Sequence, residues 1–526
     1  MNSIIELSDG LLRDSLAIFL GWESAKRGAR PAFASNEDQV SVLGPPRSGK
    51  SSAIFAPSVA CHPGPVIVTS VRAAGLHPDL RDVTLRSRKA LATKTGGFVG
   101  ELVLDDAIEP KSRAVAWDIT TGCSVWNVAL ERARSLAGAA IPLSQDNAGA
   151  WRNSVSSVLA PILHGCAMSG LDQHDMRNWL RYDDTEYSMR GMRDYLCGLY
   201  GDGHPSVRAC DTSLAAGSEV QQNVLYVVNT DVLGVFSYEN PWPSSPFDVD
   251  EFIRTWSTLY ITIRPQRAEQ ARSLIAALVE SVCSSWQASE SSQGSGTLLL
   301  ALDEVANVAP VATLPELVAT GGGSGIQCLL GFQTSAQARR CWGDDGVDVV
   351  VKNPSHTVIF PGLSDRGFLD DLAALFGKET RYHDEINVAP NAPIRAGTAD
   401  AAMLIEERGF LESSLAKGPP QARRREQIER EVGRVLARRR RTQRRRYMDL
   451  PEEDAGAAHA IIAELYALTT VVARPERRDV LEGADIYSGR SGSVFVRSAV
   501  PGTRRPRFGF HEVRGWWLDP VWSELL

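Results

Sequence analysis

The sequence predicts an α/β protein, a doubly wound parallel sheet interrupted by an all-helical insertion. Three observations carry that expectation. Short apolar runs of strand length alternate with helical segments from Gln39 to Thr69 and again from Trp256 to Phe360, the rhythm of a parallel sheet. A glycine-rich turn joins the first of those strands to a helix. Between residues 131 and 250 the apolar residues recur at helical spacing instead. A chain of 526 residues has room for such a core with insertions, at roughly 100–200 residues per domain.

Composition removes several classes of function. With 43% apolar and 23% charged residues, wholesale disorder is excluded. The eight cysteines are scattered singly with no Cys-x-x-Cys pair, so neither a zinc site nor a disulfide framework is indicated, and a reduced cytosolic setting is expected. No His-Glu-x-x-His pattern occurs. No run reaches about 18 uncharged apolar residues, so the sequence predicts neither a membrane-spanning helix nor a secretory signal.

In order along the chain, residues 1–32 read as a short amphipathic helix and a linker, because Leu11, Leu12, Leu16, Phe19 and Leu20 recur near helical spacing. That helix would pack on the main domain, with a membrane surface or a partner as the alternative. Residues 33–130 open the core. Val40–Leu43 is a strand, the turn follows, Ser52–Ala60 is helical and Pro65–Thr69 is a second buried strand. Residues 131–250 form the insertion. Trp151, Val155, Val158, Leu159, Ile162, Leu163 and Cys166 share one helix face, with Pro161 expected to kink it. Further helices are predicted around Asp175–Arg181, Met189–Leu199 and Ser213–Val227. Residues 251–395 resume the core with strands at Trp256–Ile263, Thr297–Leu302, Ile326–Phe332 and Thr357–Phe360. Residues 396–473 are an Arg-rich helical insertion, and residues 474–526 return to the core with a strand at Ser493–Arg497.

The turn after the first strand is Gly44-Pro45-Pro46-Arg47-Ser48-Gly49-Lys50-Ser51, followed by Ser52, and it has the full spacing of a phosphate loop. Glycines let backbone N–H groups turn inward around a phosphate, and the helix that follows adds the positive end of its dipole. Lys50 would reach the β- and γ-phosphates, and the Ser51 hydroxyl would ligate Mg²⁺. The other half of an ATPase is an acidic pair ending an apolar strand, and Leu298–Leu302 followed by Asp303 and Glu304 supplies it. Asp303 would hold the metal's hydration shell and Glu304 would polarise the attacking water. Gln333, at the tip of the next predicted strand, is long enough to sense a γ-phosphate. These residues together predict a P-loop NTPase core that uses ATP and Mg²⁺.

The stretches Leu302-Asp303-Glu304-Val-Ala-Asn307, Leu314 to Gly321 and Gly325 to Gln337 resemble the type IV secretion coupling proteins, the TraG/TraD-like ATPases of conjugation. Pro45 to Ser48 and Val66 to Ser70 resemble the actinobacterial branch. Asn353 to Gly377, Trp126-Asn127, and Ser493–Arg497 with Trp516-Trp517 extend the likeness, which spans about residues 30–395 and 474–526. The resemblance implies a RecA-like motor with an inserted all-alpha domain, active as a hexameric ring and engaging DNA. The helical domain would read a relaxase or another secreted substrate, and the ring would meet a secretion channel or a membrane anchor protein. The expected location is the cytoplasm, at the inner face of the cell membrane if a partner anchors it. Two alternatives accompany this reading: a nucleotide-gated recruitment adaptor with weak hydrolysis, and a double-strand DNA translocase.

Three departures stand out. The family's N-terminal membrane helices have no counterpart here. Gly321-Gly322-Gly323 occupies the turn where the family usually places an arginine aimed at the neighbouring subunit's nucleotide, a group worth about 10³–10⁵ in rate. Arg47, Arg339 and Arg340 are candidate replacements; if the lost arginine limits hydrolysis, Gly322→Arg is expected to raise turnover, and with a native replacement it is expected to be neutral or harmful. Third, Arg423–Arg446 holds twelve arginines against three glutamates, in a segment without a family counterpart. It reads as a solvated charged surface, as a nonspecific nucleic-acid binder, or as a contact for an anionic membrane.

Overall fold

The computed structural model describes residues 18–25, 28–71, 79–180, 185–216, 218–237, 242–289, 296–375, 378–388, 469–479, 493–498 and 507–512. The chain forms two compact units, one of Met1–Phe376 with Leu481–Leu526 and one of Gly377–Val480.

The strands in chain order are β1 (Phe19–Ala25), β2 (Gly28–Phe33), β3 (Val40–Leu43), β4 (Val66–Val71), β5 (Val99–Val103), β6 (Arg113–Ala116), β7 (Ser245–Pro246), β8 (Thr258–Ile263), β9 (Leu298–Leu302), β10 (Ile326–Phe332), β11 (His356–Ile359), β12 (Lys378–Val388), β13 (Thr469–Asp479), β14 (Ser493–Ser498) and β15 (Arg507–Glu512). In the first unit thirteen of them form one sheet in the order β2-β1-β15-β14-β11-β3-β10-β9-β4-β8-β5-β6-β7. From β11 to β7 every pairing is parallel. The opposite edge, β14, β15, β1 and β2, is antiparallel.

The central strands β3, β9 and β10 are buried along their whole length. Strands covered on both faces need no polar alternation, and this is why Leu298–Leu302 reads as an unbroken apolar run. Helices cover the sheet, and their ends follow local chemistry. Leu80–Thr95 starts at Asp79, whose carboxylate accepts from Asp82 N at 2.7 Å, and stops at Gly96 with φ 72°. Pro265 sits at the first turn of Pro265–Ala288, where its missing N–H costs nothing.

Among the described residues between β6 and β7 every element is helical, from Trp126–Ala140 to the short turn Gly234–Ser237. Arg132 fastens the entry to this region. Its guanidinium lies 4.5 Å from the Trp117 ring centre and donates to Ile119 O at 2.7 Å. Ala148–Ser169 continues as helix through Pro161, with Val158–Cys166 buried against its neighbours. The helix expected over Ser213–Val227 is two, Pro205–Ala215 and Ser218–Val227.

Two expectations are corrected. The N-terminal helix does not include Phe19 and Leu20, which begin β1, and β2 lies in the supposed linker. A short apolar cluster such as Ile18-Phe19-Leu20 fits a buried strand as well as a helix face, and here the sheet edge claims it. In the second unit β12 pairs antiparallel with β13 in a separate two-stranded sheet, so residues 378–388, expected in the core, belong elsewhere. The Arg-rich segment Arg423–Arg446, expected to be helical, lies outside the described residues, as do Trp516 and Trp517.

A buried clamp ties the sheet together below the glycine-rich turn. Arg88, 1% exposed, donates to Thr258 Oγ1 at 2.8 Å, to Gly64 O at 3.0 Å and to His62 O. Burial holds His62 down to about 3, so its ring is neutral and Nε2 donates to Thr297 O at 2.9 Å, at the foot of β9. Arg88→Met would strand the carbonyls of His62 and Gly64, each costing about 1–3 kcal/mol. We therefore expect this variant to lose roughly 3 kcal/mol of unfolding free energy in urea, and an unchanged midpoint would contradict the clamp.

Candidate functional site

Strand β10 lies between β3 and β9, with Phe332 level with Leu43 and Leu330 level with Leu302. The turn after β3, the acidic pair after β9 and Gln333 after β10 therefore leave the sheet at one edge, side by side.

The turn is built for close approach. Gly49 has φ 99° and Arg47, exposed at its tip, φ 62°. A Cβ on Gly44 would lie 2.7 Å from both Phe360 Cβ and Ser48 Oγ, so glycine is needed there. Gly44 N donates to Phe332 O at 3.2 Å and ties the turn to the end of β10. Lys50, 7% exposed, curls over the turn and donates from Nζ to Gly44 O at 2.6 Å and Pro45 O at 3.1 Å. Ser52 Oγ donates to Gly49 O at 3.1 Å. Ser48 Oγ is buried and has no hydrogen-bond partner among the described residues, an unanswered polar atom inside the loop.

Ser51 Oγ donates to Asp303 Oδ2, which brings the two expected metal ligands into contact. The other oxygen, Asp303 Oδ1, accepts from Glu304 N at 3.0 Å. Glu304 takes φ 53° and caps the short helix Val305–Val308, accepting from Asn307 N and Val308 N. Its side chain accepts from Gln333 Nε2 at 2.7 Å. The structure thus brings Lys50, Ser51, Asp303, Glu304 and Gln333 together. Arg339 is paired with Asp344 at 2.6 Å on the exposed surface of its helix.

Charges oppose one another across this edge. Burial pushes the Lys50 ammonium below the usual lysine range, while Asp303 and Glu304 pull it back up. Burial raises the Asp303 carboxyl, against Ser51, Lys50 and the Glu304 N–H. Burial and the neighbouring Asp303 charge raise Glu304, and hydrogen bonds from Gln333 and Asn307 counter them.

Several supporting residues escaped the sequence reading. Gly331 in β10 faces the acidic pair, and a Cβ there would lie 2.6 Å from Asp303 Oδ1 and 3.0 Å from Phe55 Cζ. A lone glycine in an apolar strand was its signal. Thr69 Oγ1, in β4 level with Leu302, donates to Asp303 O at 3.0 Å. The glycine turn also corrects an expectation. A Cβ on Gly322 would lie 2.3 Å from Glu37 O, a backbone atom, so an arginine does not fit there, whereas Gly323 opens to free space.

Residues 297–390 match the family described as the TraM recognition site of TraD and TraG. By sequence, no curated protein matches the chain. Among solved structures the chain resembles the unbound monoclinic form of the bacterial conjugative coupling protein TrwBdeltaN70, at 14% identity and TM-score 0.60, covering 97% of this chain and 90% of that one. It also resembles plasmid coupling protein TrwB in complex with ADP and Mg²⁺, at 16% identity and TM-score 0.56, over 91% of this chain and 85% of that one. TrwB with a non-hydrolysable ATP analogue matches at 15% identity and TM-score 0.53, over 91% and 86%. The fold is that of the TrwB structures, and the TraG/TraD likeness seen in the motifs is matched by the family model over 297–390. Among the described residues no helix is long and apolar enough to cross a membrane.

The glycine turn gives a direct test. Gly322→Arg should lower the melting temperature by a few degrees, since overpacking costs about 1–3 kcal/mol, while Gly323→Arg should leave it in place. Equal melting of the two variants would refute the close approach to Glu37.

Proposed function

We propose that this chain, TraG/TraD-like over 297–390 and folded like the coupling protein TrwB, is an ATP-hydrolysing, ring-forming motor that engages DNA or a nucleoprotein and passes it to a conjugative, type IV secretion-like apparatus. The observation that carries it is the convergence of the phosphate loop, Asp303, Glu304 and Gln333 at one sheet edge.

The residues fit ATP and Mg²⁺. The unpartnered Ser48 hydroxyl and the glycine-lined turn suit phosphate oxygens, and the touching Ser51 hydroxyl and Asp303 carboxylate are hard oxygen donors of the kind Mg²⁺ takes. The metal, when bound, neutralises charge on the phosphates. Gly44, Pro45, Pro46, Arg47, Ser48, Gly49, Lys50, Ser51 and Ser52 form the nucleotide cradle, with Lys50 supplying the mobile cation. Glu304 receives the proton of the attacking water, and its raised affinity for protons suits that task. Gln333 senses the γ-phosphate. TrwB has been crystallised with ADP and Mg²⁺ and with ATP and GTP analogues, which supports nucleotide use here.

The finer assignments complete the reading. The helical region, read as residues 131–250, meets a relaxase or another secreted substrate. A hexamer forms the channel, DNA is held there and by Arg423–Arg446, and a membrane or channel protein anchors the ring at the inner face of the membrane. The glycine turn favours a second reading, an adaptor that binds ATP to recruit substrate and hydrolyses it weakly, because no arginine stands at Gly321–Gly323 and a side chain at Gly322 would press on the Glu37 backbone. Turnover stimulated by DNA separates the two.

Lys50→Ala should abolish tight ATP binding, whereas Glu304→Gln should keep ATP and lose at least about a hundredfold in turnover. Phosphate release equal to wild type in Glu304→Gln would sink the site. For the basic segment, changing Arg438–Arg441 and Arg444–Arg446 to Ser should weaken DNA binding and flatten its dependence on salt between about 50 and 200 mM. Basal ATP turnover should stay near wild type, and unchanged DNA affinity and salt slope would return the segment to a solvated surface.

A further inference from the structure

Glu304 is held from three sides. Its φ of 53° lies in the left-handed region, which is uncommon for a residue with a side chain. Its N–H is fixed to Asp303 Oδ1, and its carbonyl is taken by Asn307 N at 2.9 Å and Val308 N at 3.1 Å. This backbone sends the carboxylate toward the tip of β10, where Gln333 Nε2 donates to Oε1 at 2.7 Å. Gln333 is itself fixed. Its N–H donates to Gln337 Oε1 at 3.3 Å, and the preceding carbonyl, Phe332 O, accepts from Gly44 N of the phosphate loop. The chain therefore runs without a gap from the loop, through the end of β10, to one carboxylate oxygen of Glu304.

We infer that Gln333 is a positioning residue for Glu304, aiming its carboxylate at the reacting water from a strand tip that the phosphate loop anchors. This rests on the reading of the site as an ATPase and goes beyond γ-phosphate sensing. An amide nitrogen carries two hydrogens, so one can hold Glu304 while the other meets a phosphate oxygen. A carboxylate with several rotamers gains as a base when it is held in one of them. The geometry assigns that restraint, beside the hydrogen bond with Asn307, to a side chain on a neighbouring strand, so the aim of the base depends on the register of β10 and the loop.

The test is a comparison of Gln333→Met, which keeps length and packing but loses the donor, with wild type in the full chain. Turnover at saturating ATP should fall by about tenfold or more. KM for ATP and the affinity for a non-hydrolysable ATP analogue should change by less than turnover does. Added to Glu304→Gln, Gln333→Met should change the residual turnover by less than about threefold, because it acts through a base already removed. Intact turnover in Gln333→Met would overturn the assignment. So would a loss undiminished in the Glu304→Gln background, and a loss that falls chiefly on analogue affinity would leave Gln333 as a phosphate sensor alone. Wild-type turnover in Glu304→Gln by itself would overturn the ATPase reading first, and this inference with it.

Discussion

Everything at the site depends on the parallel pairing of β3, β10 and β9. Parallel strands all point the same way, so the segments that follow them emerge at one edge. The register sets their level, with Phe332 opposite Leu43 and Leu330 opposite Leu302. A shift of one residue would turn Gln333 away from Glu304 and bury a different face of β10. The interactions around the site keep that register. Gly44 N meets Phe332 O, Thr69 Oγ1 holds Asp303 O, and Gly331 leaves room for the Asp303 carboxylate that a side chain would displace.

This frame explains how opposing charges can share one half-buried edge. Burial alone would push Lys50 toward its neutral amine and the two carboxyls toward their neutral acids. Each is restrained by the others and by local donors, Ser51 for Asp303 and Gln333 for Glu304. A group whose charge is held by neighbours in a low-dielectric setting responds strongly when a phosphate arrives. The buried Arg88 and His62 act at the other end of the same strands. They satisfy the carbonyls below the phosphate-loop helix and at the foot of β9, so both halves of the site stand on a fixed base.

The parts legible in the sequence were those set by local chemistry. The glycine-rich turn announces itself because Gly44 and Gly49 stand where a side chain would clash or strain the backbone, and β9 announces itself because a strand buried on both faces is apolar throughout. The acidic pair follows from where that strand ends. Other parts carry no local signal or depend on distant neighbours. β1 pairs chiefly with β2, the next strand, and Lys26-Arg27 between them has none of the turn residues that announce a hairpin, so Phe19 and Leu20 read as a helix face. β12 joins β13 across the Arg-rich stretch, a pairing no local pattern encodes. The obstruction at Gly322 comes from the Glu37 backbone, and the hold of Gln333 on Glu304 from two strands brought level.

A crystal structure of the full chain with Mg²⁺ and a non-hydrolysable ATP analogue shows whether one sheet edge collects the parts of an ATP site. Phosphates should lie within the turn Gly44–Ser51, with Lys50 Nζ on their oxygens, the metal at Ser51 and Asp303, and Glu304 facing the terminal phosphate. A nucleotide bound away from this turn, or one seated there with Asp303 and Glu304 pointing out of the site, would contradict this placement.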